Sequence, residues 1–338
     1  MDLNTVWFGL FGVLIIGYAI LDGFDLGVGV LSLFAKGDHE KRLHLNAIGP
    51  VWDGNEVWLL TGGGALFAAF PAVYATVFSG FYLALILLLL ALIARAVSFE
   101  FRSKVESPAW RGAWDLAFGC GSLVATILFG VAVGNIVRGI PLDARGEFAG
   151  TFFDLLNPYA VLTGVLALCM FTTHGALFMV LKTDGDLQAR MRAWVRRGWA
   201  AWTALYLVTT GASVVAAPHL FDGTLARPLL WAALLLTAGG LVLVPLFARA
   251  GSPFKAFIAS SAAIAGSTAL AGISLYPRLV PAFGQLDRSL TIYNAASTPR
   301  TLTVMLVIAL CGMPIVIGYT VFIYRVFKGK TKIGGQSY

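Results

Sequence analysis

The sequence predicts an all-α integral membrane protein with about nine transmembrane helices, arranged as two four-helix bundles plus one peripheral helix. Of the 338 residues, 58% are hydrophobic and only 12% are charged, whereas about a quarter of the residues in soluble domains are charged. Residues 81–97 contain a single charge, that of Arg95, and residues 229–247 contain none. A helix needs about 20 such residues to span a bilayer, because its backbone amides must bond to one another where no water reaches.

Apolar windows along the chain predict the individual spans. They cover residues 6–34, 48–71, 75–99, 113–136, 155–181, 198–217, 229–248, 256–275 and 302–324. We expect residues 1–338 to form a single transmembrane domain. Its first bundle is expected within about 1–140, and its second bundle and the peripheral helix within about 150–330.

The distribution of basic residues predicts the orientation of these spans. All but six of the 24 lysines and arginines lie at the ends of odd-numbered spans or in the segments that follow them. The exceptions are Arg138, Arg145, Arg227, Arg278, Arg288 and Arg300. Because basic loops stay on the cytoplasmic side, the N-terminus is predicted outside and the C-terminus in the cytoplasm. This placement explains the net charge of +7 as charge that orients the spans in the lipid bilayer, without a nucleic-acid partner.

Cysteine and histidine give no indication of a metal site. The three cysteines lie inside apolar segments without CxxC spacing, and no CxxCH, HExxH or Walker motif is present. His174 lies in the fifth span without an evident partner, which favours a polar contact between helices over haem or metal ligation. His39 and His44 are expected in a cytoplasmic loop.

Acidic residues inside the spans are the most informative, since burying one in lipid costs several kcal/mol. Asp22 and Asp25 lie in the first span and are three residues apart, so they share a helix face. Asp53 and Glu56 have the same spacing in the second span. If the two faces meet, the four acids cannot all be ionised together.

The depth of these acids predicts a proton path. A rise of about 1.5 Å per residue orders them from the cytoplasmic surface inward. That order is Glu100, Asp53, Glu56, Asp25 and Asp22.

Other interpretations remain open at this point. The acids could be structural, pairing with Arg95 or capping backbone amides. Trp52 and Trp58, which flank the acids, are as readily interface anchors as site residues. A proton- or ion-coupled secondary transporter would use the acids as an ion or substrate site, although no repeat or paired helix break is evident. A scaffolding subunit would leave the acids inert.

Three segments of the chain are similar to the second subunit of cytochrome bd-type quinol oxidases. They read GYAILDGFDLGVGVL at 17–31, GPVWDGNEVWLLTGGGALFAAFPAVY at 49–74 and RAVSFEFRSK at 95–104. The similarity is dense over roughly residues 7–140. It implies a subunit of a terminal oxidase in a prokaryotic plasma membrane, not catalytic alone, in a complex that oxidises membrane quinol, reduces dioxygen to water and takes the protons from the cytoplasm.

The resemblance also implies the partners and cofactors. Haem b and haem d belong to a haem-bearing subunit I, and this chain supplies no haem ligand. Some members bind a structural quinone or small accessory single-helix subunits.

The resemblance assigns roles to individual residues. Asp53 in WDGN, Asp25 in GFDLG and Glu100 in SFEFRS fall at proposed proton-path positions. Trp58 falls near a suggested oxygen route, and Trp52 adjoins Asp53 near the subunit interface. Arg95 is expected to meet either a haem propionate or the acids.

Overall fold

The structure is a computed structural model that describes residues 2–334. The described chain is mostly helical, as predicted. Its helices are α1 (Leu3–Ser32), α2 (Gly37–Ile48), α3 (Trp52–Ala69), α4 (Pro71–Gly80), α5 (Tyr82–Phe101), α6 (Pro108–Arg138), α7 (Pro158–Lys182), α8 (Gly185–Ala216), α9 (Pro228–Arg249), α10 (Pro253–Leu275) and α11 (Pro299–Val326).

Proline and short polar side chains set where the long helices begin. Six helices have proline at their first position, where its missing N–H costs no hydrogen bond. The residue before that proline caps α7 and α11. Asn157 accepts a hydrogen bond from the N–H of Ala160 at 3.0 Å, and Thr298 accepts one from Thr301 at 3.3 Å.

Eight helices of the described chain are long and apolar enough to cross a membrane. The remaining predicted span, 48–71, corresponds to α3, which is 18 residues long but is not among the eight. Polar residues in its first turns and three consecutive glycines lower its apolar character. The predicted third span also began too early: residues 71–80 form the separate helix α4, and α5 begins only at Tyr82.

The centre of the protein is the crossing of α1 and α7. A Cβ atom added to Gly27 would lie 1.9 Å from the carbonyl oxygen of Phe171, and one on Gly175 would lie 2.6 Å from the backbone of Gly27. Such an approach requires glycine on both helices. From Asp22 to Ser32 every residue of α1 is buried, because α3, α6, α7 and α10 surround it. Helices α1 and α7 thus contact each other although they were predicted to lie in different bundles. The division into two bundles stays a prediction.

The two ends of the protein differ. The end that holds α2 is called the α2 end, and most of the basic residues lie there. The other end, called the hairpin end, carries a small antiparallel hairpin formed by Arg278–Val280 and Leu290–Thr291. Helix α11 is peripheral: it packs on α1 and α3, and Leu302 is its only buried residue.

Helix α2 replaces the loop that was expected around His39 and His44. One face of α2 buries His44, Leu45 and Ile48. From the polar face, Asp38 accepts a hydrogen bond from Arg102 at 2.6 Å, and Glu40 forms an ion pair with Arg190. Helix α2 therefore ties the end of α5 to α8.

The ion pair of Glu40 predicts that the stability gained from docking α2 depends on pH. Partial burial disfavours its carboxylate, but hydrogen bonds from Arg190 and from the N–H of Lys36 outweigh burial and lower the pKa of Glu40 below its ordinary 4.5. A lowered pKa stabilises the fold above the ordinary value, and that stabilisation is lost as pH falls through the folded value. We expect Glu40→Gln to reduce stability at pH 7 by no more than about 1 kcal/mol, since the pair is partly exposed.

Thermal midpoints of the purified protein check this expectation. The gap between wild type and Glu40→Gln should narrow only below about pH 4.5. The exposed Glu106 provides a control, Glu106→Gln, that should leave the midpoint unchanged. A gap for Glu40→Gln that stays constant down to pH 3.5 would show that the ion pair does not stabilise α2.

Candidate functional site

A buried arginine connects three helices in the half of the protein nearest α2. Arg95 of α5 is fully buried, and its Nη2 donates a hydrogen bond to Asp22 Oδ1 of α1 at 2.8 Å. Its Nη1 lies 3.6 Å from Glu56 Oε2 of α3. Arg95, Asp22, Glu56 and the neighbouring Asp25 are called the acid cluster. Of the two predicted partners of Arg95, the acids lie against it in this chain, and the haem propionate stays a prediction.

Asp25 extends the acid cluster toward α11. The side chain of Asp25 is fully buried, and its Oδ2 accepts a hydrogen bond from Asn55 Nδ2 at 2.7 Å. Tyr324 of α11 in turn donates its hydroxyl to Asn55 Oδ1 at 3.0 Å. This chain orients Asp25 and joins the peripheral helix to the site.

Tyr324 was not among the site residues predicted from the sequence. A tyrosine in the last turns of a spanning helix is ordinarily an interface anchor. The only available signal was its aromatic hydroxyl near the predicted cytoplasmic end of the last span.

Helical periodicity explains why the acids converge. Asp22 and Asp25 lie about one turn apart on α1, and Glu56 lies in the second turn of α3, which packs on that part of α1. Helix α5 brings Arg95 to the same level. The predicted meeting of the two acidic faces is therefore found for three of the four acids.

The acid cluster contains more carboxyl groups than cationic groups, which bears on how it exchanges protons. Three carboxyl groups face one guanidinium, and a buried charge without a partner is strongly unfavourable. Within residues 2–334, Asp22 Oδ2, Asp25 Oδ1 and Arg95 Nε have no hydrogen-bond partner. A cluster with this excess of carboxyl groups can bind and release protons as a unit.

Asp53 and Glu100 lie outside the acid cluster. Both side chains are exposed, Asp53 in the first turn of α3 and Glu100 near the end of α5. Asp53 is one helical turn from Glu56. The structure thus separates the predicted proton-path residues into two buried acids with the partly exposed Glu56, and an exposed pair at the α2 end.

The two predicted tryptophans make packing contacts. Trp52 stacks on Phe99 of α5 with ring centroids 4.8 Å apart and planes within 3°. Trp58 is partly buried and fills the space left by Gly17 of α1, where an added Cβ would lie 2.2 Å from its ring. Both tryptophans therefore fix α3 against its neighbours beside the acid cluster.

His174 is engaged in contacts between helices. It is fully buried, with Nδ1 2.6 Å from Ser260 Oγ of α10 and Nε2 3.1 Å from the carbonyl oxygen of Ile20 of α1. Its ring also stacks on Phe257 at 4.5 Å. Both ring nitrogens are thus used by the protein itself. Within residues 2–334, no group of three or more His, Cys, Asp or Glu is arranged to hold a metal ion.

Comparison with known proteins identifies relatives along almost the whole chain. Residues 3–327 match the family described as Cytochrome bd terminal oxidase subunit II. The chain is 38% identical to cytochrome bd-I ubiquinol oxidase subunit 2 of Escherichia coli (strain K12), over 97% of this chain and 95% of that protein. It is 37% identical to cytochrome bd ubiquinol oxidase subunit 2 of Bacillus subtilis (strain 168), over 97% and 96%.

The fold is similar to that of a chain from the bd oxidase of Geobacillus thermodenitrificans. The TM-score is 0.82, and the match covers 97% of this chain and 99% of that chain at 20% sequence identity. At that identity the similarity concerns the fold alone.

Proposed function

Because the chain belongs to the cytochrome bd terminal oxidase subunit II family, we propose that it serves the reduction of dioxygen to water by membrane quinol as the haem-free partner of a subunit I. The resemblance found in the three sequence segments is thereby confirmed. The chain is a subunit of an oxidoreductase complex and a multi-pass protein of a bacterial inner membrane. The quinol is proposed from the ubiquinol oxidases named among its relatives.

In this proposal, haem b and haem d are bound by subunit I. The contacts of His174 support it, because both of its ring nitrogens already contact Ser260 and Ile20. The structural quinone and small accessory subunits remain expectations drawn from the family resemblance. The same holds for an oxygen route past Trp58.

We further propose that this chain delivers protons for water formation from the α2 end, which the positive-inside rule assigns to the cytoplasm. The observation that carries this proposal is the excess of buried carboxyl groups over the single buried guanidinium in the acid cluster. Exposed Asp53 and Glu100 would take up protons at the surface. Glu56, which is partly exposed and pairs with Arg95, would pass them inward.

Inside the acid cluster, Asp22 and Asp25 are the proposed carriers. Each keeps one carboxylate oxygen without a hydrogen-bond partner in the described chain. Arg95 holds Asp22, and Asn55 holds Asp25, so each carboxyl group is oriented through its other oxygen. The oxygen without a partner is the one that would receive a proton.

Removing a carrier carboxyl group tests the proton path. We expect Asp25→Asn and Asp53→Asn to lower quinol-driven oxygen consumption at least about tenfold, because positioned proton transfer typically contributes a factor of 10² or more. The haem absorption spectrum of the purified complex should remain that of wild type. Oxygen uptake and the spectrum are measured on the same preparation.

Matched variants separate transfer from assembly. Asp53→Glu retains a carboxyl group and should restore most of the activity. Asp186→Asn changes an exposed acid at the start of α8 and should have no effect. Full activity in both Asn variants would refute the proton path, and a lost haem spectrum would assign these acids to assembly instead.

A further inference from the structure

A cavity of about 170 Å³ lies at the α2 end, away from the acid cluster, between α7, α8, α9 and the start of α10. Its walls are almost entirely apolar, with Leu177 and Val180 from α7, Val195 from α8, and Val244 and Ala248 from α9. Four of these five residues are buried, so the cavity reaches into the protein. Nothing in the proton path uses it.

A proline and a tryptophan contribute to the lining of this cavity. Pro245 lies inside α9 and has no N–H to donate to the carbonyl oxygen of Leu241, four residues earlier. Trp199 of α8 supplies the missing bond, since its Nε1 donates to Leu241 O at 2.8 Å. The indole therefore joins α8 to α9 beside the cavity.

Three arginines surround the opening. Arg192 and Arg196 lie one turn apart on α8, and Arg249 is the last residue of α9. All three side chains are exposed, and no acidic residue lines the cavity. Arg192 donates a hydrogen bond of 3.4 Å to Gln188, a neutral side chain. The opening therefore carries uncompensated positive charge in front of an apolar interior.

We propose that this cavity, called the arginine cavity, binds an anionic phospholipid from the leaflet at the α2 end. The guanidinium groups would hold the phosphate, which they bind through paired hydrogen bonds. The apolar interior would take the first part of an acyl chain. Basic pockets between transmembrane helices on the cytoplasmic side are suited to anionic head groups, and the charge distribution places this end there.

The arginine cavity has room for part of one chain and not for a whole lipid. The rest of the lipid would lie against the exposed apolar surface of α9. A bound lipid would fill the gap between α8 and α9. It would thus brace the second half of the chain.

Counting bound lipid in the purified oxidase complex tests the proposal. By native mass spectrometry, wild type should retain an anionic phospholipid that the double variant Arg196→Gln/Arg249→Gln has lost. The matched control Arg197→Gln/Arg325→Gln removes the same charge from exposed arginines at the same end that do not line the cavity. The control should retain the lipid. Equal retention in both double variants would overturn the proposal.

Titration of the delipidated complex distinguishes a lipid from a free anion. We expect phosphatidylglycerol in mixed micelles to bind at least about tenfold more tightly than phosphatidylcholine, since the bonds to the arginines are charge-assisted. Inorganic phosphate alone should show no saturable binding. Ala248→Phe, which keeps all three arginines and fills the cavity, should abolish phosphatidylglycerol binding.

Two results would contradict the assignment. Equal binding of phosphatidylglycerol and phosphatidylcholine would show that the arginines do not select an anionic lipid. Saturable binding of phosphate that survives Ala248→Phe would show a free-anion site instead. The haem spectrum and co-elution with subunit I verify that each variant is folded, and neither result depends on the proton path.

Discussion

Replacing Arg95 by glutamine is expected to abolish accumulation of the assembled oxidase. Asp22 and Glu56 would lose their only cationic partner within the acid cluster, and Asp22 is fully buried. Removing one partner of a buried ion pair costs about 3–5 kcal/mol, a large part of the roughly 5–15 kcal/mol that stabilises a typical protein. The amount of this subunit in membranes and the haem spectrum of those membranes measure the effect.

A second substitution shows whether the unpaired charge is the cause. Arg95→Gln combined with Asp22→Asn removes both charges and leaves groups that can still share a hydrogen bond, so accumulation should partly recover. Lys104→Gln, at an exposed position shortly after α5, should accumulate normally. Wild-type levels of Arg95→Gln alone would mean that the ion pairs do not stabilise the protein.

The acid cluster was largely predictable, because ionisable residues inside apolar runs are rare and their spacing of three places them on one helix face. The sequence could not reveal how each helix is rotated. Arg95 is buried and Glu100 is exposed, although only five residues separate them. Five residues correspond to a rotation of about 140° on a helix, so the two side chains point to different sides.

Contacts between distant segments were beyond sequence reasoning. Tyr324 and Asn55 are 269 residues apart, and nothing in either segment identifies the other. The same holds for the arginine cavity, which needs residues from four helices. A periodic pattern indicates which residues share a face, but not which helix packs against it.

The errors in helix assignment have local causes. Helix α2 was expected to be a loop because its charged residues lower its apolar character, and amphipathic helices of 12 residues give weak signals. The start of α5 was misplaced because Pro71 and Phe81, which delimit α4, lie within continuous apolar sequence. Hydropathy showed which segments form spans. It did not detect the helix breaks that set their boundaries.

The close crossing of α1 and α7 predicts that Gly27→Ala strongly destabilises the protein. Gly27→Ala adds one methyl group 1.9 Å from the carbonyl oxygen of Phe171 and 3.1 Å from the Cα of Gly175. The colliding atoms belong to the backbone, so no side chain can rotate away, and the two helices must separate. We expect a loss of at least about 3 kcal/mol, at the upper end of overpacking effects.

A loss of stability in Gly27→Ala would identify the close crossing, because glycine-to-alanine changes elsewhere in a helix act in the opposite direction. Alanine is a better helix former than glycine by about 1 kcal/mol, so the same substitution should be neutral or slightly stabilising where space is available. Gly9 and Gly12 lie on the same helix with no atom within 4 Å of an added Cβ, and Gly9→Ala and Gly12→Ala are the controls. Thermal midpoints of the purified complex measure all three variants. If Gly27→Ala behaves like its controls, the close crossing is wrong, and the placement of Asp22 and Asp25, which α1 carries within two turns of Gly27, is wrong with it.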